Sequence, residues 1–148
     1  MKNISLIRHN KIYLSIILFV PILTLTMACN NADDNVLSGI AEQTNKAEIS
    51  FYDINQPDPT SAISYIEVTD PEEIKKLANI VSNYVSPEYK CGYGGTLIFK
   101  KDNNILVLME FNLDPDCQHI VYFLEGQQYS KKINKKGIKL LKSFKEQK

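Results

Sequence analysis

The chain has 148 residues, 17 of them basic and 17 acidic, so its formal net charge is zero and its length predicts a single domain. Three of the basic residues, Lys2, Arg8 and Lys11, precede residue 29, which leaves 14 basic against 17 acidic residues beyond that point. This mild acidity argues against a general nucleic-acid-binding protein, and the lack of any arginine after Arg8 argues against phosphate chemistry.

The first 28 residues have the pattern of a secretory signal peptide. Lys2, Arg8 and Lys11 form a positively charged beginning, and an apolar run over residues 12–25 follows. A membrane-spanning helix needs about 20 apolar residues, and this run is shorter and soon meets a polar cluster. We therefore predict a signal peptide at residues 1–28, with an uncleaved membrane anchor as the alternative.

The segment from Leu25 to Cys29 resembles the lipobox of bacterial lipoproteins, in which a small residue precedes the cysteine that is lipidated and then exposed by cleavage. Ala28 matches that small residue, whereas Thr26 stands where the family more often has leucine. The resemblance implies a diacylglyceryl group on the Cys29 sulfur and a further acyl chain, such as palmitate, on its amino group. Several acyl chains together give stable membrane anchoring.

The residues after Cys29 indicate the cellular location of the mature protein. Because Asn30, rather than aspartate, follows Cys29, the resemblance to lipoproteins implies the outer membrane of a two-membrane cell, facing the periplasm or the cell surface. Residues 31–34 are similar to the short acidic signals of surface lipoproteins in Bacteroidetes. Because residues 30–46 are rich in polar side chains, we predict that residues 29–46 form a lipidated, flexible tether to a domain at 47–148.

Alternating apolar and polar residues predict two strands at residues 47–54 and 61–69, which we expect to form a hairpin. Asp70 followed by Pro71 and two glutamates is typical of a helix start. The predicted helix extends to residue 85, before Ser86 and Pro87, because the residue preceding a proline disfavours helical geometry. Its buried face would comprise Ile74, Leu77, Ala78, Val81 and Val85.

The remaining sequence predicts four strands, at residues 96–101, 105–113, 119–125 and 128–133, and a closing helix at 134–147. The element order β-β-α-β-β-β-β-α indicates an α+β fold with a single antiparallel, curved sheet and two helices on one face. This order is similar to the TBP-like and profilin-like layouts, a likeness of fold that carries no function.

Two cysteines remain after lipidation of Cys29, and an even pair in an exported protein predicts a disulfide between Cys91 and Cys117. In a meander, the strands that follow these cysteines begin at the same end of the sheet, so the flanking loops must fold together to close the bridge. The alternative is an enzyme in which Cys117 is a nucleophile and His119 its base, since residues two apart on a strand point the same way.

Oxygen and imidazole groups are close together at Asp114, Asp116 and His119, a set that could hold a divalent metal ion. We favour a turn in which the aspartate side chains accept hydrogen bonds from the backbone, and we predict no metal or other cofactor. His119 is the only histidine after residue 28, which argues against multi-histidine zinc sites and most histidine-dependent hydrolases.

Two tyrosines adjoin the glycine-rich segment at residues 92–95. Tyr89 and Tyr93, with Asp114, Asp116 and His119, are a candidate surface for binding a protein or a glycan. The alternative is that these tyrosines fill half-buried positions of the sheet.

Lysines crowd the C-terminal end of the chain. They are Lys131, Lys132, Lys135, Lys136, Lys139, Lys142, Lys145 and Lys148. We interpret them as the solvated outer face of the last helix, with contact to anionic lipid headgroups as the alternative.

These patterns together favour a non-enzymatic, lipid-anchored protein of the cell envelope that binds an envelope protein or glycan. The lipobox, the acidic segment after it and the cysteine-bracketed hairpin resemble those of small lipoproteins of Bacteroidetes. An inhibitor or immunity lipoprotein that blocks a protein partner is one alternative, and the enzyme using Cys117 and His119 is another.

Overall fold

The expected α+β architecture is confirmed in a computed structural model, which describes residues 32–53, 62–87 and 90–147. The predicted signal peptide, Cys29 and Tyr89 lie outside the described residues. The elements in chain order are α1 (Ala32–Gln43), β1 (Lys46–Tyr52), β2 (Ala62–Val68), α2 (Pro71–Ala78), β3 (Val81–Val85), β4 (Gly95–Lys101), β5 (Asn104–Asn112), β6 (His119–Leu124), β7 (Gln127–Ile133) and α3 (Lys135–Glu146). Among these, no helix combines the length and the apolar character needed to cross a bilayer.

All seven strands form one antiparallel sheet in the order β2-β1-β4-β5-β6-β7-β3. The predicted hairpin of β1 and β2 is confirmed, and β4 to β7 form a continuous meander. The hairpin joins the meander because β1 pairs with β4, with Ile49 opposite Leu97. Strand β3 lies at the other edge, beside β7.

The register of the strands places apolar side chains in rows on one face of the sheet. Ile49, Leu97, Met109 and Tyr122 occupy neighbouring positions on four successive strands and are all buried. The helices add their own apolar side chains to the same core, so three helices, rather than the two expected, cover this face. We call α1, α2 and α3 the helix layer.

The helix predicted over residues 71–85 is correct at its start and wrong at its end. Asp70 caps it as expected, accepting a 2.8 Å hydrogen bond from the Glu73 backbone N–H. The helix ends at Ala78, and residues 81–85 form β3, with Val81 opposite Ile133 and Val85 exposed. Pairing with a distant strand overrides the local spacing here, because valine fits a pleated strand at least as well as a helix.

The prediction of a flexible tether was wrong for residues 32–43, which form α1. Leu37 and Ala41 are only 3% and 6% exposed and belong to the core. The side-chain nitrogen of Asn45, just after the helix, donates to the Asp102 carboxylate in the turn between β4 and β5, and its side-chain oxygen accepts from the Asp102 backbone N–H. The packed domain therefore includes α1, because a few apolar residues within a polar segment suffice to pack a helix on the core.

The start of α3 is fastened to the end of α2. The side-chain oxygen of Asn134 accepts a 2.8 Å hydrogen bond from the Gly137 N–H, and its side-chain nitrogen donates one of 2.6 Å to the Asn79 carbonyl oxygen. A β-carbon at Gly137 would lie 2.5 Å from the β-carbon of Ile80. This close approach requires glycine and holds the start of α3 against the residues that follow α2.

Candidate functional site

Two loops meet at one end of the sheet, where β4 and β6 begin and β5 ends. The predicted disulfide is confirmed: Cys91 and Cys117 are bonded, with their α-carbons 6.3 Å apart. We call residues 90–94 and 113–118 the disulfide loops. The bridge connects segments separated by one intervening strand, so the loops do fold towards each other, as the sequence required.

Asn112, the last residue of β5, forms side-chain hydrogen bonds with both disulfide loops. Its side-chain nitrogen donates to the carbonyl oxygens of Cys91 and Gly92, at 3.3 and 3.0 Å, and its oxygen accepts a 2.8 Å bond from the Asp114 N–H. The side chain is 3% exposed. A buried amide with three hydrogen bonds is well satisfied and holds the loops in one conformation. Sequence reasoning overlooked this residue.

The first disulfide loop is also hydrogen-bonded to the strands on either side of it. The Gly94 N–H donates to the Phe111 carbonyl oxygen at 2.8 Å, and the Tyr52 N–H donates to the Gly94 carbonyl oxygen at 2.9 Å. Gly92 has a φ of +63°, in the left-handed region that favours glycine. The loop is therefore an ordered extension of the sheet.

The aspartates of the second disulfide loop form the turn favoured from the sequence. The Asp114 carboxylate accepts a 3.1 Å hydrogen bond from the Asp116 N–H, and its carbonyl oxygen accepts one of 2.8 Å from the Cys117 N–H. Over the ranges that the structure describes, no three or more His, Cys, Asp or Glu side chains are grouped to hold a metal ion. Both aspartates are exposed, so their charges face solvent.

His119 is buried rather than presented at the surface. It is 4% exposed, its Nδ1 lies 2.6 Å from the Cys117 carbonyl oxygen, and its ring centroid lies 5.7 Å from that of Tyr93. Tyr93 is half-buried; burial raises the pKa of its hydroxyl, and the charge of Glu110 acts in the same direction. Of the candidate surface, the structure thus exposes Asp114 and Asp116 and buries His119.

The positions of Cys117 and His119 can be compared with those that the predicted enzyme would need. The Sγ atom of Cys117 is bonded to Cys91, and Nδ1 of His119 faces a backbone oxygen. Nucleophilic catalysis needs a thiolate within reach of its base. In its disulfide form, Cys117 has no thiolate to supply.

A cleft of about 490 Å³ adjoins the disulfide loops, between the end of the sheet and the last turns of α3. Its lining includes two carboxylates, two ammonium groups and apolar side chains, namely Asp53, Asp114, Lys142, Lys145, Phe51 and Leu113. Charges of both signs around an apolar wall suit a ligand or protein segment of mixed character. Sequence reasoning found only Asp114, because the other walls come from distant parts of the chain.

Comparison with known proteins gives no match: no protein-family model, no curated protein and no solved structure is significantly similar to this chain. The function is therefore inferred from the chemistry of the residues themselves.

Proposed function

We propose that this protein is a lipid-anchored, non-enzymatic binding module of the bacterial cell envelope, which holds a partner at the disulfide end of its sheet. The observation that carries the proposal is the fixed geometry of the disulfide loops beside the charged cleft. A surface already ordered before binding loses little conformational entropy when a partner arrives. Here the bridge and Asn112 supply that order.

Two features support the location in the envelope. The leader and the segment ending at Cys29 resemble the signal peptide and lipobox of a lipoprotein. The disulfide between Cys91 and Cys117 suits an oxidising compartment, since such bonds seldom persist in the cytosol. Both features favour an exported protein, and the resemblance at Cys29 and Asn30 adds acylation and the outer membrane.

The chemistry of the cleft favours a protein segment as the partner, with a glycan as the alternative. Asp114 offers a negative charge to basic groups of a partner, whereas Lys142 and Lys145 offer positive charges to acidic ones. Complementary charges of both signs select a particular orientation as well as a particular partner. The apolar wall, which includes Leu113, adds burial of carbon surface.

An inhibitor or immunity function is the second candidate, favoured by the second disulfide loop. Asp114, Pro115 and Asp116 are all exposed, and the turn they form is held by its own hydrogen bonds and by Cys117. A rigid exposed loop of this kind suits insertion into the cleft of another protein. In that case the captured partner should be an enzyme or a toxin whose activity falls on binding.

The cleft is tested by capture from detergent-solubilised envelopes, using the full-length lipidated protein. Reversing the charge of Lys142 and Lys145 together, to glutamate, should abolish recovery of the partner. The matched control is Lys101→Glu, at the opposite end of the sheet, which should recover the partner as the unaltered protein does. Equal recovery by all three proteins would place the binding surface elsewhere.

The anchor is tested separately by labelling cells with palmitate and separating membranes. The unaltered protein should be labelled and remain with membranes, whereas Cys29→Ala should incorporate no label. Absence of label from both forms would remove the lipoprotein interpretation.

A further inference from the structure

A second concavity, of about 660 Å³, lies between α2 and α3 on the helix layer. Three exposed lysines line it, Lys76 from α2 and Lys136 and Lys139 from α3. Its remaining lining is neutral and includes Leu140 and Ser143. We call this concavity the basic groove, because its lining contains ammonium groups and no carboxylate.

The basic groove has a fixed shape. Asn134 ties the start of α3 to Asn79 at the end of α2, and Gly137 lies against Ile80 with no room for a side chain. The two helices are thus held at a set distance, and their lysines extend from both walls. Lys136 and Lys139 are three residues apart and so share one face of α3.

The charges of the basic groove are not compensated by neighbours. Among the described residues, none of its three lysines forms an ion pair, whereas Lys75, next along α2, pairs with Glu72 at 3.0 Å. Helix α3 carries five lysines and one acidic residue, Glu146 in its last turn. A positive field is therefore concentrated on one side of a chain that is mildly acidic beyond residue 28.

The position of α1 brings this side of the molecule close to the anchor. Helix α1 begins at Ala32 and packs against α2, which in turn packs against α3. If Cys29 carries the acyl chains, three residue steps reach at most about 10 Å from the anchored residue to the helix. The helix layer is then held within roughly one helix diameter of the bilayer surface.

We propose that the basic groove docks on the phosphate groups of anionic phospholipids in the membrane that holds the anchor. This inference rests on the proposed lipid anchor and adds an orientation to it, with the helix layer facing the bilayer. Lysines close to an anionic surface are attracted to it over about one Debye length. The neutral wall at Leu140 tolerates the carbon atoms of the lipid backbone.

The chemistry favours lipid over other phosphate ligands. A dedicated site for a small phosphate usually offers arginine or an array of backbone N–H groups, whereas the basic groove offers lysines, which act as point charges. An open groove with flexible ammonium groups fits a headgroup layer, in which many phosphates are available at once. The basic groove shares no lining residue with the cleft beside the disulfide loops, so lipid and a partner would contact different residues.

The test uses the full-length lipidated protein in vesicles of phosphatidylcholine alone, and in vesicles that also contain phosphatidylglycerol. Flotation with the vesicles reports the anchor, and acetylation by a water-soluble reagent reports the accessibility of each lysine. With phosphatidylglycerol, the acetylation of Lys76, Lys136 and Lys139 should slow about threefold or more, and high salt should abolish this protection. Lys101 and Lys132, which belong to the sheet, are the internal controls and should not change.

A matched pair of variants completes the design. Changing all three lysines of the basic groove to glutamine should remove the lipid-dependent protection of the neighbouring Lys135, whereas changing Lys101 and Lys132 to glutamine should preserve it. Flotation without lipid-dependent protection would overturn the inference and leave the anchor standing. Loss of flotation in phosphatidylcholine would overturn the anchor itself. Equal protection by inorganic phosphate without phosphatidylglycerol would identify a soluble anion and overturn the lipid assignment.

Discussion

Asn112 and His119 lie directly opposite each other on β5 and β6, and both polar side chains are buried. Each side chain contacts the backbone of a different cysteine: Asn112 donates to the Cys91 carbonyl oxygen, and Nδ1 of His119 lies beside the Cys117 carbonyl oxygen. The two ends of the disulfide are thus held by side chains of adjacent strands as well as by the covalent bond. The order of the disulfide loops should therefore depend on both kinds of contact.

Replacing Asn112 by alanine should lower the free energy of unfolding by about 1–3 kcal/mol, because three part-buried hydrogen bonds to the backbone are lost. Urea unfolding with the disulfide intact measures this change. The matched control is Asn83→Ala, at an exposed position of β3, where the change should stay within about 0.5 kcal/mol. Equal effects at the two positions would show that Asn112 does not organise the loops.

Removing the disulfide by changing Cys91 and Cys117 to alanine should lower the free energy of unfolding by about 3–4 kcal/mol. The bridge joins residues 26 apart in sequence, and a loop of that length restricts the unfolded chain by roughly this amount. Thermal unfolding with and without a reductant measures the effect. The reductant should destabilise the unaltered protein and leave the double variant unchanged, and no effect on either would contradict a bridge in solution.

Gly137→Ala should destabilise the protein by about 1–3 kcal/mol, because the added methyl group would meet Ile80 at less than van der Waals distance. Gly39→Ala, on α1, is the matched control, since nothing lies within 4 Å of the methyl group there. At that position alanine should stabilise the helix by about 0.5–1 kcal/mol. Changes of the same sign in urea unfolding would contradict the close approach of α3 to Ile80.

Stability should fall in acid partly through Glu48 on β1. Hydrogen bonds from Lys100, at 2.6 Å, and from Lys46 hold the pKa of the Glu48 carboxyl below its ordinary value. Because the unfolded chain takes up this proton at a higher pH, the stabilisation is complete above about pH 5 and is lost as the pH falls through the folded-state pKa. Unfolding measured from pH 7 downwards should show this loss.

Two variants isolate the contribution of Glu48 to that profile. Glu48→Gln should be less stable than the unaltered protein at pH 7, and its stability should depend less on pH in the acid range. Glu125→Gln, in the exposed turn between β6 and β7, should retain the acid dependence of the unaltered protein. An unchanged acid profile in Glu48→Gln would show that the ion pair with Lys100 does not affect stability.

The parts of the fold that were predictable are those in which local pattern and tertiary environment agree. Strands β4 to β7 lie within two residues of their predicted bounds, because alternate residues such as Leu97 and Phe99 face the core. The end of α2 was mispredicted because Val81 satisfies helical spacing, while its actual partner, Ile133, is remote in sequence. Helix α1 was missed because its buried residues, Leu37 and Ala41, are few among polar ones.

The candidate site was predictable only where a pairing rule applied. The even number of cysteines after Cys29 predicted the bond between Cys91 and Cys117, and the turn-forming residues around Asp114 predicted its hydrogen bond to the backbone. The cleft was not predictable, because Lys142 and Lys145 reach it from α3 only through the packing of that helix on the sheet. Asn112 carried one weak signal, a polar residue within an apolar strand, and the hydrogen bonds that explain it join separate loops.

The placement of β3 beside β7 determines when the domain can finish folding. The chain is synthesised from its N-terminus, so Val81 appears long before its neighbour Ile133, while the strands between them are still being added. Until β7 has been synthesised, β3 has no neighbouring strand with which to form backbone hydrogen bonds. Contacts between segments so distant in sequence also form slowly. Acquisition of the native state must therefore await the synthesis of β7, and a stop within β7 would leave β3 without a neighbouring strand and β6 with β5 alone.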